Sequence, residues 1–122
     1  MRCWIASAST MRRERGRSVY TLEAHVNYLH EIKEGTQVRV DARVLAHDAK
    51  RLHLYLELFA DGHEDAVSAS EQMLLHVDTR DGAKSAPFDD DVAAQLAALH
   101  ALQRECAAPA YAGRVIGLPP HR

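Results

Sequence analysis

The stretch SVYTLEAHVNYLHEIKEGTQVRV, residues 18–40, limits what this chain can fold into more than any other. Tyr20, Leu22, Ala24, Val26 and Tyr28 alternate with Thr21, Glu23, His25, Asn27 and Leu29. Side chains of an extended strand leave its two faces in turn, so the pattern predicts a strand with one apolar face and one face bearing Glu23, His25 and Asn27. A carboxylate, an imidazole and an amide at every second position make a polar ladder. Such a ladder suits a reaction site, and it suits equally a hydrogen-bonded network at a subunit interface.

The same period returns three times. After a turn at Gly35, Val38, Val40, Ala42 and Val44 alternate with Arg39, Asp41 and Arg43. The link HDAK leads to Leu52, Leu54, Leu56 and Leu58, which alternate with His53, Tyr55, Glu57 and Phe59. A turn around Asp61-Gly62 precedes a fourth strand from about Val67 to Val77. Then the period changes. In PFDDDVAAQLAALHALQRE, Val92, Leu96, Leu99 and Gln103 recur at helical spacing on an alanine-rich frame. Asp89 or Asp90 is placed to cap this helix, and the acidic run suits the positive end of its dipole better than it suits a metal. Before the strands, Trp4, Ile5 and Met11 fit a helix end that Gly16 would stop. The expectation is an α+β fold in one domain over residues 1–122: antiparallel strands within 17–79, a C-terminal helix over 88–105 and an irregular tail over 106–122.

With 122 residues, 47% of them hydrophobic, and a net charge of -2, the chain supports one real core. Only 6% are aromatic, so aliphatic side chains must fill it. The near-neutral balance leaves no footprint for nucleic acid; the cluster of Arg12, Arg13, Arg15 and Arg17, broken by Glu14, fits a solvated helix end. Cys3 and Cys106 lack CxxC spacing, so free thiols in a reducing, cytoplasmic compartment are expected. No apolar run approaches the ~20 residues of a membrane span. His30-Glu31 lacks the second histidine of HExxH, no GxSxG elbow is present, and no metal site is expected.

Taken in order, SVYTLEAHVNYLHEIKEGTQVRV, AKRLHLYLELF and SEQMLLHVDT resemble the later part of a hotdog-fold acyl-CoA thioesterase of the 4-hydroxybenzoyl-CoA thioesterase-like kind. They are similar in particular to the betainyl-CoA thioesterase branch found with carnitine-degradation genes. GRVIGLP in the tail is similar too, so the resemblance runs from about Met11 to Pro119. It implies a hotdog-like antiparallel sheet, and hydrolysis of a short, betainyl-type acyl-CoA to the free acid and CoA, with no cofactor beyond the CoA of the substrate. It also implies a homodimer or larger homo-oligomer whose sheets join. Thioesterases of this kind carry a DxxGHxN-type motif with a catalytic Asp before a central helix. This sequence lacks that motif, and Asp61-Gly62-His63 falls in a turn after the wrong strand. The sheet is therefore expected to be incomplete at its N-terminal side, from a misplaced start or a truncated gene. The alternative is a catalytically inactive, truncated hotdog module that binds acyl-CoA or only dimerises.

Thioester hydrolysis needs a base-activated water or a carboxylate nucleophile, and donors for the developing oxyanion. On the polar ladder Glu23 is placed to act as the base and His25 to orient water or hydrogen-bond the carbonyl, with Asn27 beside them. A trimethylammonium group would need aromatic faces, for which Tyr20, Tyr28 and Tyr55 are candidates beside Trp4; core or interface packing accounts for each as well. Lys50 and Arg51, and beyond them Arg80 and Lys84, flank turns where the phosphates of CoA could be met, or where cations are simply solvated.

Overall fold

The computed structural model describes residues 16–118. The helix end expected around Trp4 and Met11 lies outside them. Four long strands and one helix follow the periods of the sequence: β1 (Arg17–Tyr28), β2 (Val38–His47), β3 (Arg51–Ala60), β4 (Ser68–Asp78), a two-residue β5 (Lys84–Ser85) and α1 (Asp90–Gln103). They form an antiparallel sheet in the order β1-β4-β3-β2, with β5 paired to the end of β4. The α+β expectation of an antiparallel sheet with a C-terminal helix holds. Among the described residues no helix is long and apolar enough to cross a membrane.

Gly35 and Gly62 take φ values of 87° and 88° at their turns, a region other residues avoid. The tight β2–β3 hairpin is held by Asp48, whose Oδ1 accepts the amides of Lys50 at 3.0 Å and Arg51 at 2.6 Å.

Register assigns the faces. Leu52, Leu54, Leu56 and Leu58 of β3 lie on the side of Val44 on β2 and Leu74 on β4. Val44 and Leu52 bury there against Phe88 and Val92, with Leu54, Leu74, Leu96 and Leu99 packed around them. The ring of His76, itself buried, stacks 4.8 Å from Phe88, and its Nδ1–H donates to the Ala86 carbonyl at 2.8 Å. This ties the segment before α1 to the sheet.

α1 runs from Asp90 to Gln103, inside the expected 88–105, and rests on β2 at one edge of the sheet. Asp89 occupies the N-cap position, but its side chain makes no capping hydrogen bond. Instead its carboxylate lies 3.4 Å from Nε of Arg17, whose Nη1 also meets Asp78 at 2.8 Å. The capping expectation is corrected: the ion pair takes the carboxylate away from the helix amides.

Two features of β1 also depart from simple alternation. The ladder with β4 slips between Thr21 and Glu23, leaving Leu22 as an extra residue. Such a bulge reverses the faces beyond it. Tyr20 therefore shares a face with Glu23, His25 and Asn27, and not with Val26 and Tyr28. Moreover, most of β1 is exposed, Glu23 and the apolar Leu22, Val26 and Tyr28 included, because α1 covers the far edge of the sheet; Tyr28 is 87% exposed, while His25 and Asn27 are half-buried.

The tail, though irregular, has a definite path. Arg43 of β2 donates from Nη2 to the Cys106 carbonyl at 3.0 Å and from Nη1 to that of Ala107. The chain thus passes round the β2 edge onto the face opposite the core. Cys106 is disulfide-bonded. That corrects the expectation of free thiols, since spacing along the chain does not report which sulfurs meet in space.

Candidate functional site

The face opposite the core carries the polar ladder and more besides. Antiparallel pairing sets His25 opposite Glu71 and Glu23 opposite Met73, while β3 sets Tyr55 opposite Glu71 and His53 opposite Met73. Three adjacent strands thereby bring Glu23, His25, Glu71 and His53 to one patch. Together with Gly113 and Arg114 of the tail these side chains line a cavity of ≈ 290 Å³.

His53 and Glu71 anchor it. His53 Nε2–H donates to Glu71 Oε1 at 2.6 Å, and the Gly113 amide donates to Glu71 Oε2 at 2.8 Å. Burial pushes the Glu71 carboxyl up, but the Gly113 amide, the His53 hydrogen bond and the nearby charges of His53 and His25 outweigh it. The net effect holds the carboxyl below its ordinary value, so Glu71 remains an anion. The cavity therefore offers a fixed carboxylate, a second carboxylate at Glu23 and imidazoles from two strands. Such a set can accept and deliver protons, and it can hold a cationic group.

Of the expected catalytic residues, Glu23 and His25 line this cavity, and Asn27 lies one step further along β1, half-buried opposite Ala69. Tyr20 is on the same face opposite Leu75, half exposed; Tyr28 points from the other face into solvent. Tyr55 is 0% exposed, buried beneath the tail with the Tyr111 backbone close to its hydroxyl; burial, followed by the charge of Glu57, pushes its phenol up. Arg51 is engaged with Asp48, at 2.7 Å from Nε and 2.6 Å from Nη2. The amides of Lys50 and Arg51 and this guanidinium hold the Asp48 carboxyl down to about 2. Lys50 is exposed, its Nζ 3.5 Å from Ser85 Oγ. Arg51 nonetheless lines a depression of ≈ 220 Å³, which shares His53 and Met73 with the Glu23–Glu71 cavity.

Sequence reasoning missed His53, Glu71 and the tail. A signal for His53 existed: it stands at an alternate position opposite the leucine face of β3. Among the described residues, no group of three or more His, Cys, Asp or Glu is arranged to hold a metal ion.

Known proteins agree on what carries this architecture. The profile of the Thioesterase-like superfamily matches residues 3–96. The betainyl-CoA thioesterase of Pseudomonas aeruginosa is 49% identical over 118 residues, which span 97% of this chain and 74% of that protein. The L-carnitine dehydrogenase/betainyl-CoA thioesterase of Rhizobium meliloti is 36% identical over 85% of this chain, which spans only 21% of that longer protein. A crystal structure from Pseudomonas putida KT2440, proposed to be a thioesterase, superposes with a TM-score of 0.73 at 48% identity, covering 84% of this chain and 64% of its own. A Staphylococcus aureus protein solved in complex with CoA superposes at 0.75 with 28% identity, covering 88% of this chain and 67% of its own. With its antiparallel sheet, its C-terminal helix and these relatives, the chain belongs to the Thioesterase-like superfamily.

Proposed function

We propose that this protein hydrolyses a short, betainyl-type acyl-CoA to the free acid and CoA at the Glu23–His25–His53–Glu71 cavity. The observation that carries the proposal is that cavity itself, in a chain 49% identical to a betainyl-CoA thioesterase. Glu23 takes a proton from the attacking water, whose oxygen bonds the acyl carbon. His25 hydrogen-bonds the carbonyl oxygen as it gains charge, the C–S bond breaks, and the departing thiolate takes up the proton held by Glu23, which regenerates the base. Asn27 steadies the ladder beside them. The anionic Glu71 and the face of Tyr20 suit a trimethylammonium group. Arg51 and Lys50, on the adjoining depression and its hairpin, are where the CoA phosphates would be met. Water is the second substrate, and no resident cofactor is required.

The protein acts as a homodimer or larger homo-oligomer. Among the described residues β1 is a sheet edge, and its Leu22, Val26 and Tyr28 are exposed, which favours pairing with a second copy. A cytoplasmic location suits a CoA-thioester substrate, although the disulfide at Cys106 does not argue for it. Thiol release from a panel of acyl-CoA thioesters tests the activity, with betainyl-CoA expected to be turned over fastest. Release no faster than the spontaneous rate for every thioester would refute it. A monomer by sedimentation at micromolar concentration would refute the oligomer.

A further inference from the structure

One row of side chains crosses all four long strands on the cavity face: Arg43 opposite Tyr55, Tyr55 opposite Glu71, and Glu71 opposite His25. The tail follows this row strand by strand. Cys106 and Ala107 take hydrogen bonds from Arg43, the Tyr111 backbone lies beside the Tyr55 hydroxyl, and the Gly113 amide bonds to Glu71. Among the described residues the tail's hydrogen bonds to the row end there, and Gly113 and Arg114 become a wall of the cavity that His25 of β1 also lines.

We infer that the tail is the element that limits acyl length, and that Glu71 is the latch that fixes where it stops. The inference rests on the thioesterase activity proposed above. The latch is doubly held. One Glu71 oxygen is tied to the sheet by His53, so the other meets the tail from a fixed position. Gly113 in turn adopts φ 71°, which aims its amide at the carboxylate and which side-chain-bearing residues seldom adopt. With the latch closed, the space over Tyr55 is filled by the tail, which leaves that residue fully buried. An acyl group is then confined to the segment over β1 and β4. With the latch open, the row extends across Tyr55 and admits a longer chain.

Two variants open the latch by different means. Gly113→Ala leaves the Glu71 charge in place, meets no neighbouring atom, and disfavours the φ of 71° that aims the amide. Gly113→Pro removes the amide hydrogen and imposes a φ of about −65°. The measurement is the ratio of kcat/KM for octanoyl-CoA to that for betainyl-CoA, with hydrogen exchange over residues 107–114 in parallel. Both variants are expected to raise the ratio about tenfold or more, a size that small changes in an apolar pocket produce, and to lose the exchange protection of the wild-type tail. Unchanged ratios in an active protein, or a wild-type tail that exchanges without protection, would overturn the latch alone. A wild type that releases no CoA from either thioester would instead overturn the activity on which it rests.

Discussion

His53 and Glu71 stand on neighbouring strands, and Nε2 of the histidine lies 2.6 Å from Oε1 of the glutamate. The contact is diagonal, since the register partners are Met73 for His53 and Tyr55 for Glu71. Diagonal neighbours on a sheet are within reach of long side chains. It joins the sheet to the tail, because the same carboxylate accepts the Gly113 amide.

A carboxyl held below its ordinary value of 4.5 stabilises the folded state at higher pH, and that contribution disappears as pH falls below 4.5 through the lowered folded value. Wild type is therefore expected to lose thermal stability on acidification below pH 4.5 more steeply than Glu71→Gln. Parallel melting-temperature profiles for the two proteins would contradict the assignment.

Glu57 behaves in the opposite sense. Burial, and then the charge of Asp41 across the β2–β3 ladder, push its carboxyl above the ordinary value of 4.5. Ionised Glu57 thus opposes folding, with the cost setting in above pH 4.5 and complete above the raised folded value. Glu57→Gln is expected to raise the melting temperature at pH 7, with the gain vanishing in acid below pH 4.5. A lower melting temperature at pH 7 would refute this.

Gln103 serves the edge of the sheet as a strand would. It is 2% exposed; its Oε1 accepts the Val44 amide at 2.9 Å, and its Nε2 donates to the Ala42 carbonyl at 3.5 Å. Gln103→Leu leaves those backbone groups without this side chain in a dry setting and should cost about 1–3 kcal/mol in chemical denaturation. A loss of only a few tenths would show that other groups replace it.

The core lies under β2, β3 and α1, so truncations should sort by that position. Leu52→Ala, in the buried cluster, is expected to cost about 2–5 kcal/mol. Leu102→Ala, on an exposed side of α1, should stay within about 0.5 kcal/mol. Equal costs from urea unfolding would contradict the packing described.

The periods of two and 3.6 revealed the strands and the helix, including Gln103 on the buried stripe, because burial on one face imposes those periods. They did not reveal Leu22 as a bulge, since alternation continues through an inserted residue while the faces reverse around it. Tyr20 was therefore assigned to the wrong side. The tail was rightly seen as irregular from its Pro and Gly residues, yet its path depends on Arg43 and Glu71, far away in sequence. His53 showed its face in the pattern but not its partner, because the Glu71 contact is diagonal and crosses a turn. The role of Asp89 was misjudged for a similar reason: a local capping rule does not include a distant arginine.

The most direct test of the cavity as the reaction site compares CoA release from betainyl-CoA by wild type, Glu23→Gln and His25→Ala under single-turnover conditions. Wild type should release CoA, with each substitution slowing release about 10²-fold or more at unchanged folding. Wild-type rates in both variants, or no release by wild type, would contradict the account.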